Sequence, residues 1–487
     1  MRSYLLKIVL LSIFFLFLPV LSYSLSVLPT GKNEYEFRYA WWERKDALSL
    51  DNFDYQLGPY SDGRSNLSFV PFSFLQNIPP MKLNLFAFAD EDFGASKYNH
   101  SQGFESFRGG FVANPVKNLF LYGAFLLDEH KAKDKFYTGK KWRGLAGGVE
   151  ESFVFYQSKF FDVKAGRFAS FWGERNSLVL SARNNLDGFE YSFHWGKLVL
   201  SYRLAKLDGL NPDKDTVSVF ENRYFAGHRL DIHLSKKLRF GVFETMIFGG
   251  PGRTVELYYL NPLLFFHSNQ LNKNINDNSF FGFDFTLKPR KGWKLYSQLL
   301  IDDFQIDKKT QGDQEPNEYG LMVGSYWVNL LQGFDAKLEY SRVTNRTYNQ
   351  DLPRNRYLND NQLLSDALGN DYDRWVIKVS HWFNENFEVA GNFTYKRQGE
   401  GRVTTDWDTP WFDIEGDYHE PFPTGIVEKT AEPSVAFRGF VYRYFFISCE
   451  GGMKIINNFN NITDDDRNIP FFNLKISTFF SVPLRVE

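Results

Sequence analysis

The connections between the strand-like segments of this 487-residue chain alternate, short then long, along most of its length. One pair of segments is joined across Ser235-Lys236, and the next connection runs over 245–279. A tight turn follows at Pro289-Arg290-Lys291-Gly292, then a polar stretch over 303–318. An open antiparallel sheet imposes no such rhythm. A barrel in an outer membrane does, with short periplasmic turns and long external loops. Further tight turns are expected at Asn114-Pro115-Val116, Ser158-Lys159, Trp195-Gly196, 331–333 and Asn384-Glu385-Asn386. Further long connections are expected at 128–142, 208–226, 344–372, 399–432 and 457–469.

Between these connections the patterning has a period of two, the mark of a strand with unlike faces. Tyr35, Phe37, Tyr39 and Trp41 alternate with Glu34, Glu36, Arg38 and Ala40. Leu230, Ile232 and Leu234 alternate with Arg229, Asp231 and His233. Phe281, Phe283, Phe285 and Leu287 alternate with Gly282, Asp284, Thr286 and Lys288. A membrane barrel turns the apolar face to lipid and the polar face to the lumen. A soluble sandwich would instead bury its apolar faces in a shared core. The final segment is among the clearest, with Phe472, Leu474, Ile476, Thr478, Phe480, Val482 and Leu484 on one face. It is suited to pair with the first strand and remove the open edges. The chain ends Arg485-Val486-Glu487 rather than on an aromatic residue, unlike many outer-membrane proteins. The segments predict an all-β, antiparallel transmembrane β-barrel of the bacterial outer membrane, with roughly 16 to 20 strands. The stretches 37–80 and 436–453 parse in more than one way.

Composition agrees. Aromatic residues make up 18% of the chain, with 52 Phe and 26 Tyr, yet mean hydropathy is −0.37. An apolar outer wall with aromatic girdles around a polar interior gives that combination. Residues 1–24 read as a secretory signal: Arg2 and Lys7, an apolar run over 8–21 broken only by Ser12 and Pro19, then Ser22-Tyr23-Ser24. The run falls short of the roughly 20 residues of a comfortable membrane helix. The domain division is therefore a signal at 1–24 and a single barrel at 25–487. Removing 24 from 487 leaves 463 residues. Removing Arg2 and Lys7 from the 56 basic residues leaves 54 against 58 acidic ones. That balance gives no reason to expect a nucleic-acid partner. Cys449 is the only cysteine, so no disulfide framework exists.

Several segments carry a family likeness. They are Ala165-Gly166-Arg167 with Phe171-Trp172-Gly173 and Leu178-Val179-Leu180-Ser181, then Asn222 through Leu230 (NRYFAGHRL), Tyr258-Tyr259-Leu260-Asn261-Pro262, and Asn278 through Asp284 (NSFFGFD) leading to Ile301-Asp302-Asp303-Phe304. In order and spacing, over about 160–345, this set resembles the Wzi family of capsule-assembly outer-membrane proteins. The resemblance implies an 18-stranded barrel partly plugged by its own segments. It also implies non-covalent attachment of surface polysaccharide, with no catalytic residues to carry over. A periplasmic helical element before Pro80 is implied as well, although 35–42 reads as strand.

The candidate lumenal or family-motif residues are Arg167, Trp172, His228, Arg229, Asn261, Pro262, Asp284, Asp302 and Asp303. Their charges are expected either to hold a plug or a sugar, or simply to pair with one another in a wet interior. Asp302-Asp303 lacks spaced His or Cys partners, so neither metal binding nor acid–base catalysis is expected there. The connection 245–279 is apolar for a loop and carries Gly249-Gly250-Pro251-Gly252; it is expected to fold inward and constrict the pore. The alternative is an external loop packed against its neighbours.

The connection 399–432 combines rings and acids, including Asp406, Trp407, Asp408, Trp411, Asp413, Asp417, Tyr418 and His419. Sugars present C–H faces that stack on flat rings, and hydroxyls that bond carboxylates. Trp407, Trp411, Tyr418, Asp406 and Asp408 are therefore the candidate glycan contacts. Solvated acids on an aromatic rim, or calcium and lipopolysaccharide contacts, are the plainer readings. Asp464-Asp465-Asp466 reads as a solvated turn. Neither a phosphate-binding glycine loop nor a serine nucleophile elbow is present.

The leading expectation is a non-enzymatic monomer in the outer membrane, surrounded by lipid and lipopolysaccharide, that associates with surface polysaccharide and uses no cofactor or metal. A porin or substrate-specific channel is the alternative, and an outer-membrane enzyme ranks last.

Overall fold

A strand with one apolar and one polar face satisfies its backbone only by pairing with neighbours, and within lipid only closure satisfies every strand. A computed structural model shows that closure. It describes residues 82–485 apart from 97–101, 134–138, 171, 174–176, 181–184, 211–220, 306–309, 366, 385, 416 and 443–444. The signal at 1–24, the strand expected at 35–42, the stretch to Pro80 and any helical element there lie outside the described residues.

Nineteen strands form one sheet. One of them is the two-residue piece Lys141–Trp142, a small extension paired with Leu145–Gln157. The remaining eighteen make the wall. They are antiparallel and follow one another in chain order. Lys82–Ser96 pairs with Arg467–Arg485, from Lys82↔Arg485 through Ser96↔Phe471, and closes the barrel. Among the described residues, then, the final strand meets Lys82–Ser96.

The alternation of connections holds. Tight turns join Trp195 to Leu198, Ser235 to Leu238, Arg290 to Trp293 and Leu331 to Phe334. Two details differ from expectation and one open reading is settled. Asn114-Pro115-Val116 lies inside the Gln102–Val116 strand, and the turn falls at Lys117-Asn118, where Asn118 takes φ 69°. The ambiguous stretch 436–453 is a hairpin between Glu428–Tyr442 and Phe445–Asn457. Several strands also outrun their apolar alternation. Leu238–Pro251 continues past Thr245, and Glu221–Ser235 and Glu428–Tyr442 begin before Ala226 and Glu432. Ladder hydrogen bonds do not require an apolar face, so strands rise beyond the belt where alternation fades.

The two faces of the wall are distinct. Arg229, Asp231, Gly241 and Asp284 meet across neighbouring strands on the lumenal face. The opposite face carries Val154, Tyr156, Phe193, Val323, Trp375 and Val379, all large and exposed, as a lipid-facing surface requires. Phe160, Trp195 and Phe383 are exposed beside the tight turns, with Trp293 stacked on Trp327 at the same end. They form the periplasmic girdle.

Candidate functional site

The upper lumen is filled by two connections: one between Phe161–Ala169 and Asn185–Trp195, which was not among those expected from the sequence, and one after Phe334–Val343. From one, Trp172, Leu178, Val179 and Leu180 are buried; from the other, Tyr348, Tyr357, Leu358 and Leu364. They share one apolar cluster with the lumen-facing Phe225, Phe243, Ile247, Phe280, Leu300 and Met322. Each large side chain so buried contributes roughly 1.5–3 kcal/mol. Small residues make room in the wall. A Cβ at Gly227 would stand 2.7 Å from the Trp172 ring, and Gly173 takes φ +86°, where a side chain would be strained.

Polar contacts fix the register of this plug. Gln298 accepts from the Leu178 amide at 2.6 Å and donates to the Trp172 carbonyl at 3.2 Å. The Tyr348 and Tyr357 hydroxyls donate to the carbonyls of Leu178 and Val179 at 2.6 and 2.9 Å, locking the two segments together. Asp302 accepts from the Tyr348 amide at 2.7 Å. Arg223, fully buried, donates to the carbonyls of Arg354, Arg356 and Leu358 and pairs with Asp208. Buried carbonyls need such donors, because an unmade bond costs about 1–3 kcal/mol.

Above the plug lies the connection between Phe387–Gln398 and Glu428–Tyr442. Its pivot is Arg346, whose buried guanidinium pairs with Glu420 and, at 2.6 Å, with Asp408. The same guanidinium lies 5.1 Å from the Trp411 ring. Asp371 accepts from the amides of Gly401 and Thr424 at 2.9 Å each and pins both ends of the loop. Burial raises the Asp371 carboxyl above its ordinary value. The Tyr418 amide donates to Gln314 at 3.4 Å, and Arg402 donates to Asn461 at 2.7 Å, so neighbouring connections brace the loop. Asp406, Asp408 and Phe412 remain exposed, while Trp407 and Tyr418 are half-buried. The result is a held surface of rings and carboxylates on the side of the long loops.

The sequence candidates divide among three places. Trp172, Arg229, Asp284 and Asp302 face the lumen, and Arg229 binds Asp231 and Asp284 at 2.6 and 2.5 Å. Arg167 and His228 do not. Residue parity turns Arg167 outward, where it pairs with Asp187 at 2.6 Å. His228 is also outward, 3.2 Å from Glu244. Asp302 and Asp303 sit where the strand register shifts, and each carboxylate has its own donor: the Tyr348 amide for Asp302 and the Gln305 side-chain amide, at 3.0 Å, for Asp303. Asp303 caps the local turn at the Phe304 amide.

The expectation that 245–279 folds into the pore is overturned. Its Tyr259 and Phe266 cluster with Tyr202, Leu204, Ala226, Met246 and Phe248. Met246 and Phe248 lie on the face opposite Phe243 and Ile247, which meet the plug. The segment therefore lies against the outside of the wall, with Asn261 and Pro262 in its exposed part; Asn261 accepts from the Leu263 amide at 3.0 Å. Trp411 also changes role. It is 2% exposed, and its ring is packed beside Arg346 and Tyr418. No face is open to a sugar, so it supports the loop. Gln298, Arg223, Tyr348 and Tyr357 were not singled out as functional from sequence. Aromatic and amide side chains in 344–371 were the available signal.

The capsule assembly protein Wzi family model matches residues 143–469, well over half of the chain and beyond the stretch 160–345 that carried the likeness. No curated protein matches. Among solved structures, Wzi of Escherichia coli, described as an outer-membrane protein involved in group 1 capsule assembly and a carbohydrate-binding β-barrel, is similar over 93% of this chain and 100% of its own, at 15% identity and a TM-score of 0.56. Two Pseudomonas aeruginosa barrels are also similar. OprD covers 84% of this chain and 98% of its own, at 10% identity and a TM-score of 0.47. OpdP covers 82% and 91%, at 10% and 0.49. With the closed, plugged barrel and the family match together, this chain belongs to the Wzi capsule-assembly family of the bacterial outer membrane.

Proposed function

We propose that this barrel associates with polysaccharide at the cell surface and helps assemble or hold a capsule, without catalysis. The observation that carries this reading is the braced external loop. Trp407, Tyr418 and Phe412 offer ring surface beside the carboxylates of Asp406 and Asp408, on a backbone held by Arg346 and Asp371. A pre-organised loop loses little entropy when it binds a long, flexible chain. The monomer is the proposed working unit, since each barrel carries a whole loop surface. Lipopolysaccharide is the proposed neighbour at the rim.

The test is retention of capsule by cells lacking the protein and complemented with variants. Wild type should restore cell-bound polysaccharide. The Trp407→Ala/Asp406→Ala variant, folded and inserted to the same level, should release polysaccharide into the medium. Full retention by that variant would remove the loop from the account. The channel alternative requires a continuous lumen, and the interlocked segments around Trp172 and Tyr348 oppose one.

A further inference from the structure

The connection between Leu238–Pro251 and Asn278–Arg290 belongs among the external loops by topology, yet it does not stand in external water. It descends along the outside of the wall as a strap. The Tyr202 hydroxyl donates to the Tyr259 carbonyl at 2.6 Å, and Glu244 accepts from the amides of Phe266 and His267 at 2.8 and 2.7 Å. Arg253, Asp277 and Tyr259 tie the two ends of the strap together, with Tyr259 donating to Asp277 at 2.6 Å.

Depth follows from the register. At about 3.3 Å per residue and a tilt near 40°, each residue climbs roughly 2.5 Å along the membrane normal. Tyr202 lies four residues above Leu198, at the tight turn, which is about 10 Å. Glu244 lies six residues above Leu238, about 15 Å. The apolar belt of such a barrel is about 25 Å tall, so both anchoring points fall near its middle. A carboxylate facing outward at that depth would be costly in hydrocarbon. The strap removes the cost, for Glu244 is 2% exposed beneath Phe266 and beside His228.

The strap's far side is apolar. Leu257, Leu263 and Leu271 are 83%, 81% and 66% exposed, and Phe265 is half exposed. No charged residue occurs between Leu257 and Leu271. Asn261 is the exposed polar residue of this side; Ser268, Asn269 and Gln270 are half-buried, with Ser268 donating to the Phe265 carbonyl at 2.9 Å and Gln270 to the Asp277 carbonyl at 2.5 Å. Charge returns at Lys273, between Asn272 and Asn274, and Asn276 reaches the rim, where Asn355 of the plug connection bonds it at 2.8 Å. This polarity runs from hydrocarbon to headgroup, and the apolar side is continuous with the lipid-facing belt through Phe265 and Phe281, whose rings lie 5.1 Å apart.

We propose that this strap is embedded in the outer leaflet and that its occupant is the fatty acyl layer, contacted by Leu257, Leu263, Phe265 and Leu271. The claim concerns a lipid contact and stands apart from polysaccharide binding. The test uses the full-length protein in liposomes, with Cys449→Ala as background and Leu263→Cys carrying a small fluorophore; Phe412→Cys serves as the external control. Lipids spin-labelled on the acyl chain should quench the Leu263 position severalfold more than the Phe412 position. Aqueous iodide should quench in the reverse order. Iodide quenching of Leu263 without acyl-chain quenching would overturn the proposal and place the strap in water. Protection from both quenchers would also overturn it, by pointing to a second protein copy as the cover.

Discussion

Trp407 and Trp411 are four residues apart and differ in burial. Trp411 is sealed beside Arg346, whereas Trp407 keeps part of its ring exposed. Trp407→Ala should weaken polysaccharide binding about tenfold, or about 1.4 kcal/mol, as for a modest hot spot, with the loop's protease resistance unchanged. Trp411→Ala should do the opposite first, exposing 399–427 to limited proteolysis. Glu315 supplies a pH test at the same rim. Burial, with Asp303 nearby, raises its carboxyl from 4.5 to about 7, while Arg346 and the Gln305 amide oppose the shift. Below pH 4.5 the proton is held whether the loop is ordered or not. Between 4.5 and 7 only the ordered form holds it, so rising pH loosens the loop, and above 7 the full penalty persists. Hydrogen-exchange protection over 310–317, taken relative to the intrinsic rate at each pH, should therefore be greater at pH 5 than at pH 8. Glu315→Gln should abolish that difference.

At the scale of elements, among the described residues, the connections carrying Trp172 and Tyr348 enter the lumen and the one carrying Tyr259 and Phe266 lies outside. Gln298→Ala with Tyr348→Phe removes the bonds that register Leu178 and its neighbours against Tyr348. In planar bilayers this pair should show conductance steps that the wild type lacks. An equally silent double variant would mean that packing alone holds the plug. The alternation of connections and the polar and apolar faces of the strands were legible in the sequence, because a barrel wall demands both. The direction of 245–279 was not legible from its composition. An apolar loop must cover something, but lipid on one side and an apolar plug on the other accept it equally. Parity held the answer. His228 and Arg229 are neighbours in one strand and cannot both face the lumen, and Glu244 shares the outward row with His228. A carboxylate beside an imidazole on the lipid side calls for a cover. The inward course of 344–371 stayed hidden for the converse reason: its buried tyrosines sit among Asn and Arg residues that read as solvent-exposed, until Arg223 and Asp302 satisfy its backbone.

For the whole molecule, the proposed reading joins the eighteen-strand wall, the interlocked plug and the braced loop into a surface that holds a chain from outside rather than a conduit for solutes. The family and the fold were within reach of the sequence. The unequal burial of Trp407 and Trp411 was not, because Trp411 packs beside Arg346, sixty-five residues earlier in the chain. The most direct measurement is a binding titration of the producing strain's purified capsular polysaccharide on wild-type and Trp407→Ala protein, both reconstituted in liposomes. The account predicts saturable binding by the wild type and a roughly tenfold weaker constant for the variant. Absence of binding by the wild type, or an unchanged constant for the variant, would contradict it.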